Sequence, residues 1–144
     1  DRIESRGLGD VYKRQEWQLD KLLKKAYRAG TIMSGVSAGA ICWFQNGITD
    51  SWSSNLKVMT CMNLIKGCCC PHYDEEPERK PTVKKLLNAN KFNTIFAVDG
   101  GAALHIKNEA IYKSIVFKKN KSAYLVCKDK GEIIEKSYRK IILI

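Results

Sequence analysis

Proline and histidine are scarce in this chain, with three and two residues among 144. Any proton relay through imidazole therefore has to use His72 or His105. No apolar run approaches the ~20 residues that a bilayer-crossing helix needs, and the first residues lack the apolar core of a secretory signal. A cytoplasmic protein without a membrane partner is expected. The six cysteines show no paired C-x-x-C spacing. Cys68, Cys69 and Cys70 are consecutive, and chain neighbours make poor disulfide partners. Reduced thiols are expected, and a zinc site built from Cys69 and His72 with distant cysteines lacks the spacing that zinc ligands show. No cofactor or metal is implied.

Lysine and arginine number 25 against 15 aspartates and glutamates, a formal charge of +10. No arginine-rich run, aromatic RNA-binding pattern or zinc finger accompanies that charge, so a nucleic-acid partner is not expected. The lysines are spread along the chain, with one concentration at Lys118, Lys119 and Lys121. Such a field favours acidic small substrates. There is no internal repeat and no low-complexity linker, and the length suits one domain with one core.

Residues 1–15, "DRIESRGLGDVYKRQ", carry no clear period, and "GLGDVYKRQ" resembles a translated adapter sequence; they are read as a non-native segment rather than a flexible arm. Helical spacing predicts a helix from Trp17 to Tyr27 that stops at Gly30. "TIMSGVS" reads as a short buried strand, "AGAICWFQNG" as a helix, and residues 47–60 as loop. One or two short strands ending at Pro71, an amphipathic helix over "KPTVKKLLNAN", and strand–turn–strand over "NTIFAVDGGAALHIKN" follow. "SIVFKKN" and "SAYLVCKDKGEIIEKSY" complete a β-rich tail, with a turn at Lys130–Gly131. The alternation predicts an α/β fold with a mostly parallel sheet.

Gly35-Val36-Ser37-Ala38-Gly39 fits G-x-S-x-G between a predicted strand and a predicted helix. A serine on such a sharp turn projects from the sheet's C-terminal edge, and glycines relieve crowding two positions either side. The backbone N–H of Ala38 would face an oxyanion formed at Ser37. Such turns also bind phosphate, but a phosphate loop wants Lys and then Ser or Thr after the second glycine, where Ala40 and Ile41 stand. His72, in the loop "CCCPHYDEE", is the better base candidate; His105 falls within a predicted strand. For the orienting carboxylate, Asp99 ends the predicted strand "TIFAVD", and Asp50 follows the serine helix. Asp74, Glu75 and Glu76 lie close to His72 along the chain and read as a solvated face or a contact for a substrate amine. The turn alone leaves open whether Ser37 is a nucleophile or a structural hydroxyl.

"GTIMSGVSAGAICWF", "CPHYDEE" and "FAVDGGAAL", in this order and spacing, resemble the dipeptidase E family of serine peptidases, whose relatives include cyanophycinase. The resemblance runs from about Trp17 to the C-terminus. It implies a flavodoxin-like α/β fold of the class I glutamine amidotransferase type, with helices on both faces of the sheet and serine in place of that superfamily's cysteine. It also implies Ser37 as nucleophile, His72 as general base, and Asp99 as third member with Asp50 as the alternative acid. Short peptides would be the substrate, N-terminal-aspartate dipeptides among them.

The family's glycine-rich strand–loop upstream of the first helix, with its oxyanion donor and first strands, has no counterpart here. Residues 16–144 are therefore expected to be a partial peptidase domain that lacks the N-terminal part of the fold. An exposed sheet edge would favour self-association, a homo-oligomer included. A catalytically incompetent fragment or a non-enzymatic α/β binding module is the alternative function.

Overall fold

The computed structural model describes residues 18–51 and 55–143. The stretch read as non-native at 1–15, and Trp17, lie outside them. The first helix, α1 (Leu19–Arg28), carries Asp20 in its first turn and Lys25 and Arg28 in its last, charges that suit the helix dipole. None of its residues is buried.

A six-stranded sheet forms the centre, in the order β2-β1-β3-β4-β7-β8. Its strands are β1 (Phe44–Thr49), β2 (Lys57–Thr60), β3 (Ile65–Cys70), β4 (Thr94–Val98), β7 (Ala123–Asp129) and β8 (Glu132–Ser137). β3 runs parallel to both β1 and β4, whereas β1–β2, β4–β7 and β7–β8 are antiparallel. The sheet is thus mixed and not mostly parallel. A second sheet, in the order β5-β6-β9, comprises β5 (Ala102–Lys107), β6 (Ala110–Val116) and β9 (Lys140–Ile142).

The run of three cysteines on β3 follows from its central position. Cys68 and Cys70 join Ile48, Ile95, Ala97 and Val126 on one face, beneath Val83 and Leu87 of α3 (Arg79–Asn88). Cys69 points the other way, into a cluster with Ile41, Phe44 and Ile65 that Leu104 and Ile106 of β5 flank. A strand covered on both faces reads as a continuous apolar run, and the small thiols satisfy that demand. Burial pushes the thiols of Cys68 and Cys70 up to about 12 and raises that of Cys69 too.

Three expectations change. "TIMSGVS" forms no strand: residues 31–35 have no regular secondary structure and pair with no strand among the described residues, with Ile32 92% and Val36 84% exposed. The predicted helix after Ser37 is a single turn, α2 (Ala38–Ile41). Beyond it Phe44 and Ile48 are buried and β1 pairs with β3, so the aromatic and β-branched residues there are drawn into the sheet. Residues 47–60, expected to be loop, hold the end of β1 and all of β2. At Lys130–Gly131, both residues have positive φ (48° and 89°) and link Asp129 to Glu132, a two-residue hairpin turn. Among the described residues no helix is long and apolar enough to cross a membrane.

Candidate active site

Ser37 stands between the segment 31–35 and α2, with φ 52° and ψ −117°. A non-glycine residue in that region is strained by roughly 1–3 kcal/mol, and the surrounding turn has to hold it there. Gly39 N–H donates to Val36 O at 2.9 Å, and Ala40 and Ile41 N–H both reach Ser37 O. A Cβ on Gly35 would overlap the Gly39 carbonyl, so the first glycine of the motif is required by close approach; Gly39 itself has open space. The Ala38 N–H has no acceptor among the described residues.

His72 follows Pro71, where β3 ends because proline offers no N–H to the ladder. Its φ of 53° turns the chain back at once, and Glu75 N–H donates to His72 O at 3.1 Å. Tyr73 pins the turn from inside. Its backbone N–H donates to Val98 O at 3.0 Å, its ring is fully buried, and its hydroxyl donates to Glu135 Oε1 at 2.5 Å. Burial and that bond raise the phenol well above its ordinary range.

Two side chains converge on the imidazole. His72 Nε2 lies 3.0 Å from Ser37 Oγ, and Nδ1 lies 2.7 Å from Glu75 Oε2. A carboxylate only accepts, so Nδ1 carries the proton toward Glu75 and Nε2 is left to accept from the serine hydroxyl. Serine, imidazole and carboxylate thus form one chain of hydrogen bonds, its serine and imidazole 35 residues apart in sequence. The imidazole and carboxylate keep 31% and 45% of their surface, so solvent reaches one side of the relay.

Neither acid singled out from the sequence meets the imidazole. Asp99 is buried at the end of β4, with its Oδ2 accepting from Ser122 N–H at 3.0 Å and Tyr124 O–H at 3.3 Å. Burial raises its carboxyl above the ordinary aspartate value, against the Ser122 bond. Asp50 is 57% exposed and lies 3.7 Å from Arg79 Nη2. Arg79 itself is buried, donating to Glu76 Oε2 at 2.6 Å and to Ile48 O at 2.8 Å. The carboxylate that meets the imidazole is Glu75, read from the sequence as solvated or as a contact for a substrate amine because of its nearness to His72. The signal for it was the three-residue spacing itself, which a tight turn converts into contact. His105 stays on β5 with its ring edge-on to Tyr112. Cys69 is buried among apolar side chains, as part of the core.

Ser37, His72, Glu75 and Asp99 line one cleft of about 1080 Å³. Ile32, Val36, Trp43, Leu104, Ile106 and Phe117 make most of its wall apolar. Among the described residues Lys107 is the one lysine or arginine on it.

The sequence matches the model of peptidase family S51 over residues 12–114. The chain belongs to peptidase family S51. A Bacillus subtilis (strain 168) protein named Uncharacterized peptidase YgaJ is 37% identical over 121 residues, covering 84% of this chain and 52% of that protein. A Listeria innocua protein named Uncharacterized peptidase Lin0382 is 26% identical over 98 residues, 64% of this chain and 47% of the relative. The chain therefore spans about half the length of these relatives.

Proposed function

We propose that this chain carries the reactive centre of a serine-type peptidase that hydrolyses short peptides through an acyl-enzyme. The observation that carries this reading is the 3.0 Å approach of Ser37 Oγ to His72 Nε2 while Glu75 holds Nδ1. In the reaction, His72 takes the Ser37 proton as the hydroxyl attacks a peptide carbonyl. The Ala38 N–H donates to the resulting oxyanion, an interaction whose loss in acyl-transfer enzymes costs about a hundredfold or more. His72 then protonates the leaving amine, and water, activated by the same imidazole, releases the acid. Glu75 keeps the tautomer and offsets the charge on the imidazolium while it lasts.

N-terminal-aspartate dipeptides follow from the family resemblance, but a mostly apolar wall with one lysine favours peptides bearing apolar side chains next to the scissile bond. Reduced thiols on β3 suit work in the cytoplasm. The test is hydrolysis of a panel of aspartyl and apolar dipeptides by the wild type and Ser37→Ala. Loss of turnover to background in the variant is expected; equal rates would refute the reading.

A further inference from the structure

Gly100 has no side chain at the place where Glu75 puts its carboxylate. A Cβ built on Gly100 would overlap Oε1 and Cδ of Glu75, with no other group so close. The backbone of Gly100 is not in the positive-φ region that excludes other residues, unlike that of Gly101 at 88°. Alanine at position 100 thus meets the Glu75 carboxylate first, the far end of a flexible side chain.

The same turn is tied to the histidine loop by a second device. Asp74 Oδ1 accepts from Gly100 N–H at 2.7 Å, and Oδ2 is paired with the Lys121 ammonium. Burial acts to raise the Asp74 carboxyl, but Lys121 and the Gly100 N–H outweigh it and hold the group below its ordinary value. Asp74 precedes Glu75, and Tyr73 before it is anchored in the core. The carboxylate's path to the imidazole is therefore bounded from beneath by Gly100 and along the chain by Asp74.

We propose that Gly100 and Asp74 are positioning residues for the Glu75–His72 pair: the bare Cα of Gly100 leaves the slot that the Glu75 carboxylate fills, and Asp74 ties that slot to the histidine loop. This rests on the serine-peptidase reading for its consequence in catalysis, though not for its geometry. It also gives the "DGG" turn a purpose that Asp99, turned toward Ser122 and Tyr124, does not supply.

The test compares wild type, Gly100→Ala, Asp74→Ala, Glu75→Gln and the Gly100→Ala/Glu75→Gln double variant. Two readouts are used: the rate at which a fluorophosphonate probe labels Ser37, and the downfield proton resonance of His72 Nδ1–H, assigned by its loss in His72→Gln. Gly100→Ala should remain folded by circular dichroism, lose the downfield resonance, and be labelled about a hundredfold more slowly, the cost of a misplacement near 1 Å. Asp74→Ala should show a smaller loss in the same direction. Adding Gly100→Ala to Glu75→Gln should cost little more, and the two single variants should share one labelling–pH profile. An unchanged resonance and rate in Gly100→Ala would overturn the proposal, as would an equal further loss in the Glu75→Gln background, which marks a general structural defect. A wild type that resists the probe yet loses its resonance in Gly100→Ala would refute the peptidase reading and leave the positioning role standing.

Discussion

Glu75 reaches the imidazole three residues before it because His72 sits at φ 53° and reverses the chain inside a hydrogen-bonded turn. Only the side of the ring facing Ser37 requires a partner from far along the sequence. Glu75→Gln should lower turnover on the order of a thousandfold by permitting the wrong imidazole tautomer, somewhat less than in fully buried triads because this pair is partly solvated. Asp99→Asn and Asp50→Asn should stay within about threefold of wild type, since an amide oxygen can still accept from Ser122 and, among the described residues, Asp50 faces Arg79. Steady-state assays of the three variants separate these outcomes, and a large loss confined to Asp99→Asn would restore the acid expected from its strand-end position. The meeting of Ser37 and His72 was legible because their motif contexts mark a turn after an apolar segment and a loop at a strand end. The carboxylate that meets the imidazole was not, because nearness along the sequence counted against it, whereas turn geometry makes near neighbours the cheapest partners.

At the scale of elements, β3 places titratable thiols in the core. The Cys68 and Cys70 thiols ionise from an ordinary value of 9.0 in the unfolded chain but only near about 12 in the fold. For such groups the native state is fully favoured below pH 9 and loses that advantage as pH rises towards 12, by about 1.4 kcal/mol per pH unit and thiol. Urea unfolding under reducing conditions should give a clearly lower midpoint at pH 10.5 than at pH 8, and Cys70→Ala should flatten that slope while lowering stability at both pH values. A slope that Cys70→Ala leaves unchanged would contradict the burial of this thiol. The α-helices over 19–28 and 79–88 and the final hairpin were readable from periodicity and turn chemistry. The failures surround Ser37. Ile32 and Val36 look like strand residues but have no strand beside them among the described residues, and Phe44 of the expected helix and Ile48 of the expected loop both gain more by joining β1 beside β3. Strand order is set by long-range pairing, which is why the mixed sheet was invisible to local pattern.

For the whole molecule, a charge of +10 on 144 residues creates a field that reaches beyond any single side chain. An anionic fluorophosphonate should therefore label faster than a neutral one of similar size at ~20 mM salt, and most of that several-fold advantage should vanish by ~500 mM as the Debye length contracts. A ratio insensitive to salt would mean that the cleft is shielded from the surface lysines. The chain also spans about half the length of the relatives it matches, so reactivity is best measured on the site itself before any natural substrate is sought. The most direct measurement is mass-spectrometric location of a fluorophosphonate adduct on this chain and on His72→Ala. A single adduct on Ser37, slowed at least a hundredfold without the imidazole, is the predicted result. An adduct elsewhere, or equal labelling of Ser37 in both proteins, would contradict a serine activated by His72.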